Sequence, residues 1–262
     1  MGERKNKLLI IINILALLAL VVSFFLAKTP PLTNSESSGI TTTFSRVFNT
    51  LEVRRFIWLL IYPLLFLFSI YQIAVRSRSD VDEDPIGRVG LWFVIAALAI
   101  GASLINLNIA LLWPLLILLI ALIIIYVRVQ HKDASLGYRI GTIFPFSVFL
   151  GWVSIVAVNE ITLYLYNTFA SYIPFSESTL ALITLSLIVL INLLAILIYG
   201  DIWFTLVGVW TLIEIYIKLS RQMNHDQDMN RITVAGVGLL VLSILIHLII
   251  KGGKVARQEN YY

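Results

Sequence analysis

The chain predicts an all-α fold, a polytopic membrane helix bundle, and three observations carry the prediction. First, 59% of its 262 residues are hydrophobic and 13% are charged, with a mean hydropathy of +0.92. That is more apolar side chain than a soluble core of this size can hold. Second, the apolar residues come in runs of about 20, the length a helix needs to cross the hydrocarbon layer. Third, those runs do not alternate in polarity as the strands of a spanning barrel do. The chain has no cysteine, which excludes disulfides, thiolate metal sites and cysteine nucleophiles. The net charge of +4 belongs to loops at a membrane surface and does not point to nucleic acid.

About eight spans are expected, or seven if one of the later segments is misread. Leu8–Leu26 follows a basic start, MGERKNK, and resembles a signal peptide. Its apolar run is longer than a signal core and Phe25 and Ala27 make a poor cleavage site, so it reads as a retained first helix. A long polar loop, Ala27 to Arg55, follows; it holds Pro30-Pro31, a Ser/Thr/Asn-rich stretch, Arg54 and Arg55. Such loops serve as lids or as plain connectors. Next come Phe56–Val75, Val89–Ile105 and Ile109–Val129, the last two joined by a tight turn at Asn106-Leu107-Asn108. The acidic run Asp80 to Asp84 reads as a solvated loop. Gly141–Tyr164, Thr179–Tyr199, Ile202–Leu219 and Ile232–Ile250 complete the set, with Gly200-Asp201 as a second tight turn.

With the amino terminus inside, inner segments with the adjoining span ends hold 12 Lys and Arg and outer ones 7. The bias places both termini in the cytoplasm of a cell-membrane protein. The expected organisation is a five-helix core over 1–165, additional helices over 166–250 and a polar tail over 251–262.

The fifth span carries the chemistry. At roughly 100° per residue, Pro145, Phe149, Trp152, Val156, Asn159 and Glu160 fall within an arc of about 100°. An aromatic and polar face of this kind suits protein or a cavity, not lipid. The second span sets Trp58, Tyr62, Leu65, Ser69 and Gln72 on one stripe, and the seventh sets Trp203, Trp210 and Glu214 on one face. Aromatics near helix ends also serve simply as headgroup anchors. Glu160 and Glu214 are costly at membrane depth and call for a partner, water or protonation. His247 and Asn192 suit hydrogen bonds between helices.

Phe56-Ile57-Trp58-Leu59-Leu60-Ile61-Tyr62 is similar to a V-W-x-x-L-Y segment, and Pro145 with Trp152, Ala157 and Asn159 is similar to a P-x(n)-W-v-x-x-A-x-x-N helix. These are patterns of the TspO/MBR family, the tryptophan-rich sensory proteins related to the translocator protein. Asn106 and Trp113 resemble its N-x-x-W-x-x-x-W pattern with Ile109 in place of the first Trp, and Asp201, Trp210 and Lys218 resemble the late helix of a long bacterial branch. The resemblance implies a five-helix bundle around a pocket roofed by the first loop. Its ligands would be tetrapyrroles, sterols or benzodiazepine-type compounds. Trp58, Tyr62, Asn106, Trp113, Trp152 and Asn159 would line or support that pocket. The chain departs from the family in having no Trp before Pro30-Pro31, and in carrying Glu160 and Glu214 where small or apolar residues are expected. Both departures bear on the ligand class.

Two functions compete on these grounds. One is a receptor or binding protein for an amphipathic aromatic small molecule, tetrapyrrole- or sterol-like, acting in sensing, stress response or transport. The other is a small proton-coupled transporter that uses Glu160 and Glu214. The chain shows no H-E-x-x-H, no G-x-S-x-G and no paired acidic metal box, so catalysis is not expected. No cofactor is required, and a tetrapyrrole enters only as a ligand. The expected partners are bilayer lipid and a hydrophobic small molecule, and a homodimer is one state the sequence allows.

Overall fold

The computed structural model describes residues 2–26, 51–76, 84–103, 112–131, 134–169, 176–220 and 227–259. These residues are helical and, among them, no strand occurs. The helices are α1 (Gly2–Leu26), α2 (Leu51–Arg76), α3 (Pro85–Val89), α4 (Trp92–Ser103), α5 (Leu112–Val129) and α6 (Leu136–Tyr138). A π-helical turn, Arg139–Ile143, then leads into α7 (Phe144–Phe169), followed by α8 (Glu177–Tyr199), α9 (Ile202–Ser220) and α10 (Gln227–Glu259). Six of the described helical segments are long and apolar enough to cross a membrane, and Lys7–Val22 and Trp92–Ser103 are shorter apolar helices. The chain is an all-α, polytopic membrane bundle. The Asn106 turn and residues 27–50 of the first loop lie outside the described residues. Because α2 begins at Leu51, Arg54 and Arg55 belong to its first turns and not to the loop.

The described residues fall into two compact units that meet in sequence at Ile161 and Thr162. In the first, α1 packs on α2, α3 and α4, so this segment is a member of the bundle. The same unit sets α4 and α3 on α5, and the π turn on α2 and α5. Phe68 of α2, Phe93 of α4 and Phe146 of α7 meet edge to face, with ring centroids 4.8 to 6.2 Å apart. Such T-shaped contacts match the ring quadrupoles and fix the helices in register. The segment Leu136–Tyr166 is the centre of this packing: 83% of its apolar window is buried, against 22% for Gln227–Lys251. The polar face expected of α7 is therefore part of a wider enclosure, since every residue from Gly141 to Ala157 except Phe144 is buried.

The π turn has a local cause. Gly141 lies directly on the ring of Tyr71, where a β-carbon would collide with it. The wider turn, a known form of helix bulge, lets the backbone approach that closely. Helix α3 is a single capped turn at the end of the stretch expected to be a loop. Asp84 Oδ1 accepts from the backbone N–H groups of Ile86 and Gly87 at 3.0 and 2.9 Å, and Pro85 opens the helix.

The second unit contains α8, α9 and α10, each packed on the other two. Gly200 ends α8 in the left-handed conformation at φ 65°, donating to the carbonyls of Ala195 and Ile196. Asp201 then caps α9 through Phe204 N at 3.1 Å, which gives the tight turn expected at these two residues. His247 of α10 rests on Gly200. Asn192 differs from expectation. Its amide donates to Ile188 O of its own helix at 2.8 Å, and the link to α9 runs through its backbone carbonyl, which accepts from Thr205 Oγ1 at 3.4 Å.

Candidate functional site

On α2, Trp58 and Tyr62 are one turn apart, so their rings stack along one face at a centroid distance of 5.4 Å. Trp58 also meets Phe149 of α7 edge-on at 6.0 Å. Trp58 and Phe149 are fully buried. Phe149, Trp152, Val156 and Asn159 follow one another along a single face of α7 at spacings of three and four residues. The result is an aromatic wall between two helices with an amide and a carboxyl farther along it.

The polar atoms of this wall are buried. Asn159 and Glu160 are 6% and 7% exposed, and Asn159 Nδ2 donates to Glu160 Oε1 at 3.3 Å. The indole N–H groups of Trp58 and Trp152 and the Oδ1 of Asn159 have no hydrogen-bond partner among the described residues. Elsewhere in the same unit, Asn13 Nδ2 of α1 donates to Gln72 Oε1 of α2 at 3.3 Å, and the other polar atom of each amide has no partner among the described residues. A buried polar group left unpaired costs about 1–3 kcal/mol. Two indole donors and one amide acceptor thus stand unpaired among buried aromatic rings, polar groups of the kind that fix a ligand's orientation in an apolar site.

The structure brings Trp58 and Tyr62 together, and it buries Trp152, Asn159 and Glu160 in the same unit. It does not bring Trp113 to them: that side chain is 67% exposed on α5, where a membrane protein meets lipid. Asn106 lies outside the described residues. Trp210 and Glu214, one turn apart on α9, are half-buried and belong to the second unit. Sequence reasoning did not place Phe149 or Asn13 among the site candidates. Asn13 was legible as the lone amide within the apolar run of α1, and Phe149 was legible only as a member of the aromatic face of the fifth span, since periodicity does not show that it meets Trp58. Among the described residues no group of three His, Asp or Glu is placed to hold a metal ion.

No curated protein and no solved structure matches the chain. One family does, over nearly the whole length and across both units: the family described as TSPO-like protein matches residues 10–249. Its match includes the α2 and α7 segments that carry Trp58, Tyr62, Trp152 and Asn159. The chain is a membrane protein of the TSPO-like family.

Proposed function

We propose that the protein is a membrane receptor or binding protein for an amphipathic aromatic small molecule, tetrapyrrole- or sterol-like, acting in sensing, stress response or transport. The observation that carries this reading is the wall of buried Trp58 and Phe149 with half-buried Tyr62, together with the indole N–H groups of Trp58 and Trp152, unpaired among the described residues. A guest ring would stack on the aromatics, and its edge oxygens would accept from the two indoles. Trp58, Tyr62, Trp152 and Asn159 are the proposed contacts, with the Glu160 carboxyl at the far end of the wall. The protein sits in the cell membrane with both termini in the cytoplasm. No catalytic step is proposed.

The test is a titration of purified protein with protoporphyrin, heme and sterols, followed by tryptophan fluorescence quenching. One of these ligands is expected to bind below about 100 μM, roughly −5.5 kcal/mol, with affinity falling at least tenfold in Trp152→Leu. Absence of binding, together with an unchanged Trp152→Leu profile, contradicts the reading.

The burial of Glu160 favours a second reading, proton-coupled transport, because enclosed intramembrane carboxyls commonly mark proton paths. In proteoliposomes that reading expects pH-dependent uptake of the ligand, abolished by Glu160→Gln. Uptake that is the same in both proteins removes it.

A further inference from the structure

At one end of the first unit, two arginines from different helices each lie over an aromatic ring. Arg88 closes α3 and donates from Nη1 to the backbone carbonyl of Arg128 at 3.4 Å. Its guanidinium carbon lies 5.9 Å from the centre of the buried Tyr138 ring. Arg128, in the last turn of α5, stands 5.9 Å over the ring of Trp92. Arg139 follows Tyr138 directly and donates from Nε to Ala134 O at 2.9 Å.

Arginine at a helix end often does no more than meet the last carbonyls. Arg88 does this with one bond, yet a guanidinium has five N–H donors. Arg128 donates no side-chain hydrogen bond among the described residues, and neither it nor Arg88 has a carboxylate partner there. The carboxylate preceding α3, Asp84, is engaged in capping that helix through Oδ1. Rings beneath the two guanidinium groups hold them in place by cation–π attraction, so little side-chain freedom is lost when an anion arrives.

The position of the group is as informative as its charge. The span Leu112–Val129 ends one residue beyond Arg128, and the span Leu136–Tyr166 begins just before Tyr138. This is the level at which phospholipid headgroups lie, and Trp and Tyr are the residues that favour that level. Arginine matches phosphate oxygens with paired, charge-assisted hydrogen bonds.

We propose that Arg88 and Arg128 form a site for the phosphate of an anionic phospholipid headgroup. The site secures α3 and the end of α5 to the membrane surface. It is independent of the aromatic wall and of the ligand proposed there.

The test uses the full chain, purified in a neutral detergent and titrated with phosphatidylglycerol or phosphatidylcholine in mixed micelles. Retained lipid is counted by native mass spectrometry. A basic residue near a membrane surface contributes about fivefold in affinity for anionic lipid. Retention of phosphatidylglycerol over phosphatidylcholine is therefore expected to fall at least tenfold in R88Q/R128Q and to stay unchanged in R231Q, whose side chain is exposed beside Asp228. If the double variant does not purify, R128Q alone carries the test with an expected fivefold loss, because its side chain is exposed. Equal retention of the two lipids, an unchanged preference in R128Q or the double variant, or an equal loss in R231Q overturns the proposal. Competition by millimolar inorganic phosphate would assign the site to free phosphate and overturn the lipid assignment.

Discussion

Trp58→Ala is expected to lower the stability of the protein by about 3–5 kcal/mol, the range for removing a buried large aromatic. The indole is fully enclosed, touches Tyr62 along its own helix and joins α2 to α7 through Phe149. Truncation leaves a cavity at that joint. Trp58→Phe separates the structural contribution from the binding one. It keeps an aromatic edge for Phe149 and removes an N–H group that has no partner among the described residues, so most of the stability should remain. Ligand affinity should nevertheless drop, because the donor is gone. Unfolding in detergent gives the first quantity and fluorescence titration the second. A Phe variant with wild-type stability and wild-type affinity would mean that the indole N–H takes no part in binding.

Gly141→Leu carries the second large effect. The glycine lies against the Tyr71 ring with no room for a β-carbon, so a leucine must displace that ring or straighten the π turn. Overpacking of this kind costs about 1–3 kcal/mol and sometimes more. Tyr71 in turn meets Tyr138 edge-on at 6.4 Å, so the disturbance should pass to α6. The companion variant is Tyr71→Ala. If the collision is the cause, Gly141→Leu should cost much less in the Tyr71→Ala background, a coupling that a double-mutant cycle measures directly. Additive effects would show that Gly141 is needed for some other reason.

Much of the fold was legible in the sequence because membrane spans are written in composition. Long apolar runs can satisfy their backbone only as helices, and the Gly200-Asp201 turn follows from residues suited to a left-handed cap and an N-cap. What escaped depended on contacts between distant residues. Gly141 looked like an ordinary helix glycine; its π turn exists because Tyr71, 70 positions earlier, occupies the space beside it. Helix α3 is only one turn long and was hidden in an acidic loop, although Asp84-Pro85 is a capping signal. In the site, the Trp58 and Trp152 segments could be recognised by pattern, and Glu160 by its cost at membrane depth. Trp113 also fitted a pattern, one broken by Ile109, yet its side chain is exposed on α5. Periodicity places a residue on a face, but only the packing of neighbouring helices decides whether that face is inward.

The central claim is that the buried tryptophans of α2 and α7 contact the ligand. It is tested most directly by fluorine NMR of protein labelled with 5-fluorotryptophan, the six tryptophan signals being assigned by single Trp→Phe variants. Addition of a bound tetrapyrrole or sterol should shift or broaden the Trp58 and Trp152 signals and leave exposed Trp113 where it was. Movement of Trp113 with Trp58 and Trp152 unchanged would contradict the account.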